Sequence, residues 1–114
     1  MERINALFVC SRNHWRSPTA EHIFRDDPRL SVRSCGLSPR SPRQLRVDDL
    51  VWADVVFVME PKHRERIAGQ FREALGDTPL HVLDIPDDYQ FMDPELVELL
   101  RDRVDWHFQE HPNA

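Results

Sequence analysis

Hydrophobic residues in this chain form short continuous runs that alternate with segments of helical spacing. Residues 6–10 and 55–59 are two such runs, each of strand length and without a charged side chain. Runs of this kind are typical of interior strands in a parallel sheet that is covered on both faces. A looser alternation over residues 31–37 and the mainly apolar segment 80–85 predict two further strands.

Between the strands, apolar residues recur three and four positions apart, as on one face of a helix. Ser17 and Pro18 predict the start of a first helix, with Ser17 as its N-cap and Pro18 in its first turn. Asp27-Pro28 is expected to end that helix. A second, short helix is predicted from the spacing over residues 47–51, after a loop.

Two more helices are predicted to begin at Pro61 and Pro94, and Gly69 is expected to divide the first of them. The order of elements is therefore β-α-β-α-β-α-β-loop-α. Strands that alternate with helices are joined by right-handed crossovers and form a parallel sheet between two helix layers. We predict one domain over residues 1–114 with an α/β fold, a three-layer α/β/α arrangement around a four-stranded parallel sheet.

Composition narrows the functional classes. The chain has 114 residues, of which 40% are hydrophobic and 31% charged, as expected for a folded globular protein. Its net charge of -5 does not favour general binding to nucleic acid or to an anionic membrane. No membrane span and no signal segment is recognisable, so we expect a cytoplasmic protein. Cys10, Cys35 and the six scattered histidines lack the spacing of metal ligands, and no metal site is expected.

The chemistry of the chain is concentrated in one segment, Val-Cys-Ser-Arg-Asn-His-Trp-Arg-Ser-Pro over residues 9–18. Cys10 ends a predicted strand, and Arg16 lies six residues later at the predicted helix start. A loop of this length surrounds a tetrahedral oxyanion with its backbone N–H groups, and the helix N-terminus adds partial positive charge. Arg16 adds two parallel hydrogen bonds in the fork geometry that suits phosphate. The predicted phosphate-binding residues are Ser11, Arg12, Asn13, His14, Trp15 and Arg16.

The same electrostatic field acts on Cys10, because a thiol at a helix N-terminus beside an arginine loses its proton more readily than a free cysteine. The sulfur is then a nucleophile that attacks a bound phosphate monoester, forms a phosphocysteine and expels the alcohol or phenol. The leaving oxygen needs a proton, which calls for a general acid. Asp87 lies after the fourth predicted strand, at the sheet edge where Cys10 lies. No metal or organic cofactor is expected, because Arg16 and the loop amides supply the positive charge.

Residues 9–21 resemble the loop of the low-molecular-weight protein tyrosine phosphatases, Val-Cys-x-Gly-Asn-x-x-Arg-Ser-Pro-x-Ala-Glu, which follows an N-terminal strand. The resemblance implies a phosphotyrosine protein phosphatase I-like fold, with Cys10 as the nucleophile. It implies that Arg16 and the loop amides bind phosphate and that Ser17 hydrogen-bonds the thiolate. Asn13 is expected to hold the shape of the loop in the left-handed conformation.

The chain departs from the family pattern in several places. Arg12 stands where the family has glycine; if that position needs a positive φ, Arg12 is strained or the loop has another shape. Trp15 replaces the second loop cysteine of many members, which can form a protective disulfide, so we predict that peroxide oxidises Cys10 irreversibly. The region between the second and third strands is also shorter than in typical members.

Weaker similarities extend along the chain. Residues 34–36 resemble the family's Ser-Ala-Gly at the second strand, and residues 53–60 resemble its third strand. Residues 84–89 resemble Asp-Ile-x-Asp-Pro-Tyr, whose aspartate before Pro-Tyr is the general acid. Alignment gives that role to Asp87, with Asp88 as the alternative, and such a group contributes about 10² to 10⁴ in rate. His14, Trp15 and Tyr89 are expected to line the substrate site, although Trp15 packing against a helix is an equally open interpretation.

We therefore predict a cysteine-dependent phosphatase that acts on a phosphorylated protein or a small phosphomonoester, first of all phosphotyrosine, and releases inorganic phosphate. Another leaving group, such as phosphoarginine or a nucleotide, stays open. One alternative is a non-catalytic phosphate-binding or phosphopeptide-binding module in which Arg12 distorts the loop. The other is an arsenate reductase-like enzyme, whose disulfide relay needs two further cysteines where this chain has one. A monomer or weak homodimer is expected.

Overall fold

The computed structural model describes residues 3–110, which form a parallel sheet with helices on both faces. The strands are β1 (Ile4–Cys10), β2 (Leu30–Gly36), β3 (Val55–Val58) and β4 (Leu80–Val82). The helices are α1 (Arg16–Phe24), α2 (Val47–Trp52), α3 (Pro61–Gln70), α4 (Arg72–Leu75) and α5 (Pro94–Glu110). All strand pairs are parallel, in the order β2-β1-β3-β4. The predicted α/β fold with a four-stranded parallel sheet is confirmed.

Buried side chains cover both faces of the sheet, because successive residues of a strand point to opposite faces. On one face Phe8 stacks against Phe24 of α1 and Phe57 of β3, with ring centroids 5.7 and 5.3 Å apart. This cluster also includes the buried apolar residues of α5, Leu96, Leu100 and Val104. On the other face Leu7 and Val9 pack with buried residues of α2 and α3. The two central strands, β1 and β3, are therefore covered on both faces, which explains their continuous apolar runs.

Two helix predictions were wrong in detail. The first helix begins at Arg16 rather than at Pro18, and Trp15 is its N-cap, without a side-chain capping bond. Ser17 does not cap the helix because its hydroxyl is bonded to groups of the loop instead. The third helix continues through Gly69, where the position of a Cβ would be open space. The break lies at Phe71, whose ring packs against the apolar cluster that contains Leu7.

The fourth strand is shorter than predicted and ends at Val82 rather than Ile85. Asp84 has a φ of 60°, in the left-handed region, so the chain cannot stay extended there. The N–H groups of Leu83 and Ile85 still donate to the carbonyls of Val58 and Met59, each at 2.8 Å. The segment after β4 is thereby held beside the carboxyl end of β3.

Among residues 3–110, no helix combines the length and the hydrophobicity that a membrane span requires.

Candidate active site

Cys10 is the last residue of β1, a strand with neighbours on both sides. Its side chain is 3% exposed, and its Sγ lies 3.0 Å from the Oγ of Ser17 in the first turn of α1. The Ser17 hydroxyl accepts a hydrogen bond from Asn13 and lies 3.3 Å from the carbonyl oxygen of Cys35. Its one hydrogen can point to that carbonyl or to the sulfur. The hydroxyl is therefore available as a donor when Cys10 loses its proton.

Asn13 links the loop to its surroundings. Its φ is 52°, in the left-handed region that asparagine tolerates better than most residues. Its Nδ2 donates to the hydroxyls of Ser17 and Ser34, at 3.0 and 3.1 Å, which ties the loop to α1 and to β2. Ser34 donates in turn to the carboxylate of Glu21. The tight turn is thus fixed from two neighbouring elements.

Arg12 fits the loop without strain. The non-glycine residues with positive φ among those that the structure describes are Asn13, Asp84 and Met92, so the position of Arg12 does not require glycine. The requirement for glycine lies instead in β2. A Cβ at Gly36 would lie 2.7 Å from the nitrogen of Asn13 and 2.8 Å from the carbonyl carbon of Arg12. The loop can pass this close to β2 only because Gly36 has no side chain.

The backbone N–H groups of residues 11–17 can donate to a bound anion. None of them donates to a protein acceptor within residues 3–110, and the first helical hydrogen bond of α1 comes from Thr19 to the carbonyl of Trp15. Unpaired N–H groups in consecutive residues are uncommon in a folded protein unless a ligand or solvent accepts from them. At a helix N-terminus they also carry the positive end of the helix dipole.

Within residues 3–110, no group of three or more histidine, cysteine or acidic side chains is placed to hold a metal ion.

Arg16 is buried at the end of the loop, with 2% of its surface exposed. Its Nη1 donates to Glu60 Oε1 at 2.5 Å and to the carbonyl oxygen of Ile85 at 2.9 Å. Its Nε lies 3.6 Å from Asp87 Oδ1, and its Nη2 makes no hydrogen bond to any described residue. Burial raises the pKa of Glu60, but the hydrogen bond and charge of Arg16 outweigh it, and the net shift is downward. Glu60 is therefore ionised and orients the guanidinium.

His63 is a site residue that the sequence analysis did not identify. It is 2% exposed in the first turn of α3, and its Nδ1 accepts the backbone N–H of Glu60 at 3.1 Å. The proton of the neutral ring is then on Nε2, which donates to Ser11 Oγ at 2.9 Å. Burial, followed by the charge of Arg16, lowers the pKa of His63 to about 4, so the ring is uncharged at neutral pH.

The start of α3 therefore holds both ends of the loop: His63 holds Ser11, and Glu60 holds Arg16. The sequence carried one signal for this arrangement. A Glu-Pro at a helix start, followed by a polar ring at the third helical position, is a variant of the capping box, in which the third residue reaches back to the N-cap N–H.

The two candidate acids, Asp87 and Asp88, lie in the segment that follows β4. Arg103 from α5 holds the first residues of this segment, because it donates to the carbonyls of Leu83 and Asp84. Asp87 is 60% exposed and faces the Arg16 guanidinium at 3.6 Å. Asp88 is exposed and forms no ion pair with any residue in the described range. The geometry thus brings Asp87 to the loop.

The structure brings two of the three expected substrate-lining residues together. The rings of His14 and Trp15 stack with centroids 4.8 Å apart and planes 21° apart. His14 is exposed and Trp15 is half-buried. Tyr89 is half-buried against the apolar cluster that contains Phe8, and it makes no ring contact with either of the other two among residues 3–110.

Cys35 cannot replace the missing second loop cysteine. It pairs with Val9 in the sheet and belongs to the cluster with Leu7, whereas Cys10 belongs to the opposite face with Phe8. Burial raises the pKa of the Cys35 thiol, which keeps it protonated.

We expect peroxide to convert Cys10 to the sulfinic acid, because no thiol is placed to trap the sulfenic acid as a disulfide. Mass spectrometry of tryptic peptides after peroxide treatment would show two added oxygen atoms on the Cys10 peptide and none on the Cys35 peptide. Full recovery of the Cys10 thiol with dithiothreitol would contradict this expectation.

No protein-family model matches the sequence, and a search of curated proteins found no match. Solved structures do match. The YwlE arginine phosphatase from Geobacillus stearothermophilus is 25% identical, with a TM-score of 0.67 over 95% of this chain and 94% of that chain. The tyrosine phosphatase Wzb from Escherichia coli K30, in complex with sulphate, is 20% identical, with a TM-score of 0.74 over 96% and 99% of the two chains. SP-PTP, a low molecular weight protein tyrosine phosphatase from Streptococcus pyogenes, is 16% identical, with a TM-score of 0.75 over 94% and 92%. The chain therefore has the fold of the low-molecular-weight protein tyrosine phosphatases.

Proposed function

We propose that this protein is a cysteine-dependent phosphatase that hydrolyses phosphomonoesters through a phosphocysteine intermediate, with tyrosine-phosphorylated protein as the first candidate substrate. The observation that carries the proposal is the run of N–H groups over residues 11–17 that donate to no acceptor within residues 3–110, with the Cys10 thiol at one end and the Arg16 guanidinium at the other. The similar structures support the coarser statement, because they are named as phosphatases.

The substrate phosphoryl group binds in the loop. Its oxygens accept from the loop N–H groups and from the Nε and Nη2 of Arg16, which are the two guanidinium nitrogens that Glu60 leaves free. Because Glu60 and the Ile85 carbonyl already fix Nη1, little side-chain freedom is lost when the anion binds. Loop and guanidinium are arranged before the substrate arrives, and this arrangement favours the transition state.

In the first chemical step the Cys10 thiolate attacks phosphorus, so that an S–P bond forms and the P–O bond to the leaving group breaks. Ser17 donates its hydrogen to the sulfur in the ionised state, which stabilises the thiolate. Asp87 gives its proton to the leaving oxygen. In the second step Asp87 takes a proton from water, the water oxygen attacks phosphorus, and the S–P bond breaks to release inorganic phosphate and the thiolate.

The assignment of the general acid is tested by Asp87→Asn. Loss of the proton donor is expected to lower kcat by about 10²-fold for phenyl phosphate, whose leaving group is a weak acid, and to have little effect for a strongly acidic phenol. Asp88→Asn is the matched control and should behave like the wild type with both substrates. If Asp88→Asn alone shows the dependence on the leaving group, the role moves to Asp88.

A second candidate substrate is phosphoarginine, because YwlE, one of the similar structures, is named an arginine phosphatase. A panel with phosphotyrosine and phosphoarginine peptides of one sequence would decide between them through kcat/KM. The arsenate reductase alternative lacks its relay in this chain, since Cys35 lies on the other face of the sheet from Cys10.

A further inference from the structure

A cavity of about 220 Å³ adjoins the anion-binding loop on the side of α3. Three cationic residues line it: Arg12 from the loop, with Lys62 and Arg66 from α3. Ser11 and His63 also line it, and none of its lining residues is acidic. Because Ser11 and Arg12 belong both to this cavity and to the loop, the cavity adjoins the proposed phosphoryl site.

The cations of this cavity are largely unneutralised. Arg12 and Arg66 form no ion pair with any residue in the described range. Lys62 lies 3.7 Å from Glu60 Oε2, but the other oxygen of that carboxylate is already bonded to Arg16. Glu60 therefore compensates Lys62 only in part.

A second basic cavity, lined by Arg33, Arg43 and Arg46, differs in this respect. Asp48 and Asp49 also line it. The buried Asp49 carboxylate pairs with Arg33 at 3.4 Å and with Arg43 at 3.0 Å. Two of its three arginines, Arg33 and Arg43, therefore hold a carboxylate of the protein itself, whereas Arg12 and Arg66 beside the loop hold none within the described residues.

The cavity beside the loop also offers a hydrogen-bond donor. His63 donates from Nε2 to Ser11 Oγ, because its Nδ1 is occupied by the Glu60 N–H. A hydroxyl that already accepts from this ring keeps its own hydrogen for another acceptor. Ser11 is half-buried at the boundary between the cavity and the loop, so an anion in the cavity can accept from it.

We propose that this cavity is a second anion subsite, which binds an acidic side chain of the substrate next to the phosphorylated residue. The proposal rests on the proposed phosphatase function and adds a preference for phosphopeptides with flanking glutamate or aspartate. By itself, the net charge of -5 disfavours binding of an acidic peptide. The subsite is expected to have the opposite effect and to favour the acidic peptide. Only local recognition accounts for such a preference.

Two phosphotyrosine peptides test the subsite: one has glutamates on both sides of the phosphotyrosine, and the other has glutamines at the same positions. The wild type is expected to show a kcat/KM about fivefold higher for the glutamate peptide, as two exposed ion pairs would give. Arg66→Gln is expected to reduce this ratio to about twofold or less. Its activity on a small aryl phosphate, which does not reach the cavity, should be unchanged.

Arg64→Gln is the matched control. Arg64 is an exposed arginine of the same helix that does not line the cavity, and its replacement changes the net charge by the same amount. It should keep the wild-type preference. An equal loss in Arg64→Gln and Arg66→Gln would assign the effect to overall charge and overturn the subsite.

The remaining outcomes separate the two proposals. Hydrolysis of the aryl phosphate without any preference for the glutamate peptide would overturn the subsite alone. Failure to hydrolyse the aryl phosphate and both peptides would overturn the proposed function, and the subsite with it. A preference that decreases as NaCl is raised would support the subsite, because exposed ion pairs are screened by salt.

Discussion

Cys10→Ser is expected to lower kcat for an aryl phosphate by about 10⁴-fold or more, while inorganic phosphate binds nearly as well as to the wild type. Serine keeps the size of the side chain, but its hydroxyl does not ionise at neutral pH and cannot attack phosphorus. Phosphate binding survives because it depends on the N–H groups of residues 11–17 and on Arg16. Steady-state kinetics and calorimetric titration with phosphate measure the two effects separately.

Cys35→Ser provides the matched control, since Cys35 is buried on the other face of the sheet. It should retain activity, although its thermal stability will fall because a hydroxyl replaces a thiol among apolar side chains. Phosphate binding without hydrolysis in the wild type itself would favour the non-catalytic module. Comparable hydrolysis by Cys10→Ser and the wild type would rule out the covalent mechanism.

Arg16→Lys is expected to lower kcat/KM by about 10³-fold and to weaken inhibition by inorganic phosphate. Lysine retains the charge, but a single ammonium group cannot bond to Glu60, to the Ile85 carbonyl and to two phosphate oxygens at once. The variant therefore loses the guanidinium group that connects the substrate phosphoryl oxygens to Glu60 at the start of α3. Kinetics with an aryl phosphate and thermal unfolding would distinguish this loss from a loss of the folded state.

Arg64→Lys serves as the control for the same change of residue type at an exposed position of α3. It should leave kinetics and stability unaltered. If Arg16→Lys stays within about tenfold of the wild type while folded, the guanidinium fork does not have the role proposed here.

Much of the fold was predictable because strands covered on both faces leave a direct trace in the sequence. Phe8 and Leu7 are neighbours in the chain but pack into opposite clusters, so both positions must be apolar. The same continuous runs locate the edge of the sheet at which Cys10 and the later Asp87 segment meet. The composition of the loop between Cys10 and Arg16 predicts an oxyanion site at this edge, which stays a prediction.

The remaining features depend on tertiary contacts that a local pattern does not contain. Ser17 has the residue type and position of an N-cap, but the neighbouring Sγ of Cys10 and Nδ2 of Asn13 engage its hydroxyl. The helix is interrupted at Phe71, whose ring packs against the apolar cluster that contains Leu7, rather than at the more flexible Gly69. In both cases a long-range or side-chain contact outweighs the local preference.

His63 shows the same limit within the site. Its role depends on a hydrogen bond to Ser11, a residue 52 positions away in sequence. A lone histidine near a helix start gives no indication of such a partner. Gly36 is similar. A side chain is excluded at this position only because the loop passes close to β2. Spacing within the loop is enough to propose its chemistry, but the residues that hold the loop in place come from β2 and α3.

A crystal structure of the protein with vanadate tests the central claim most directly. The oxyanion is expected within hydrogen-bond distance of the N–H groups of residues 11–17 and of Nε and Nη2 of Arg16, with its vanadium next to the Cys10 sulfur. A loop whose N–H groups are instead bonded to protein acceptors, with no vanadate at Cys10, would contradict the account.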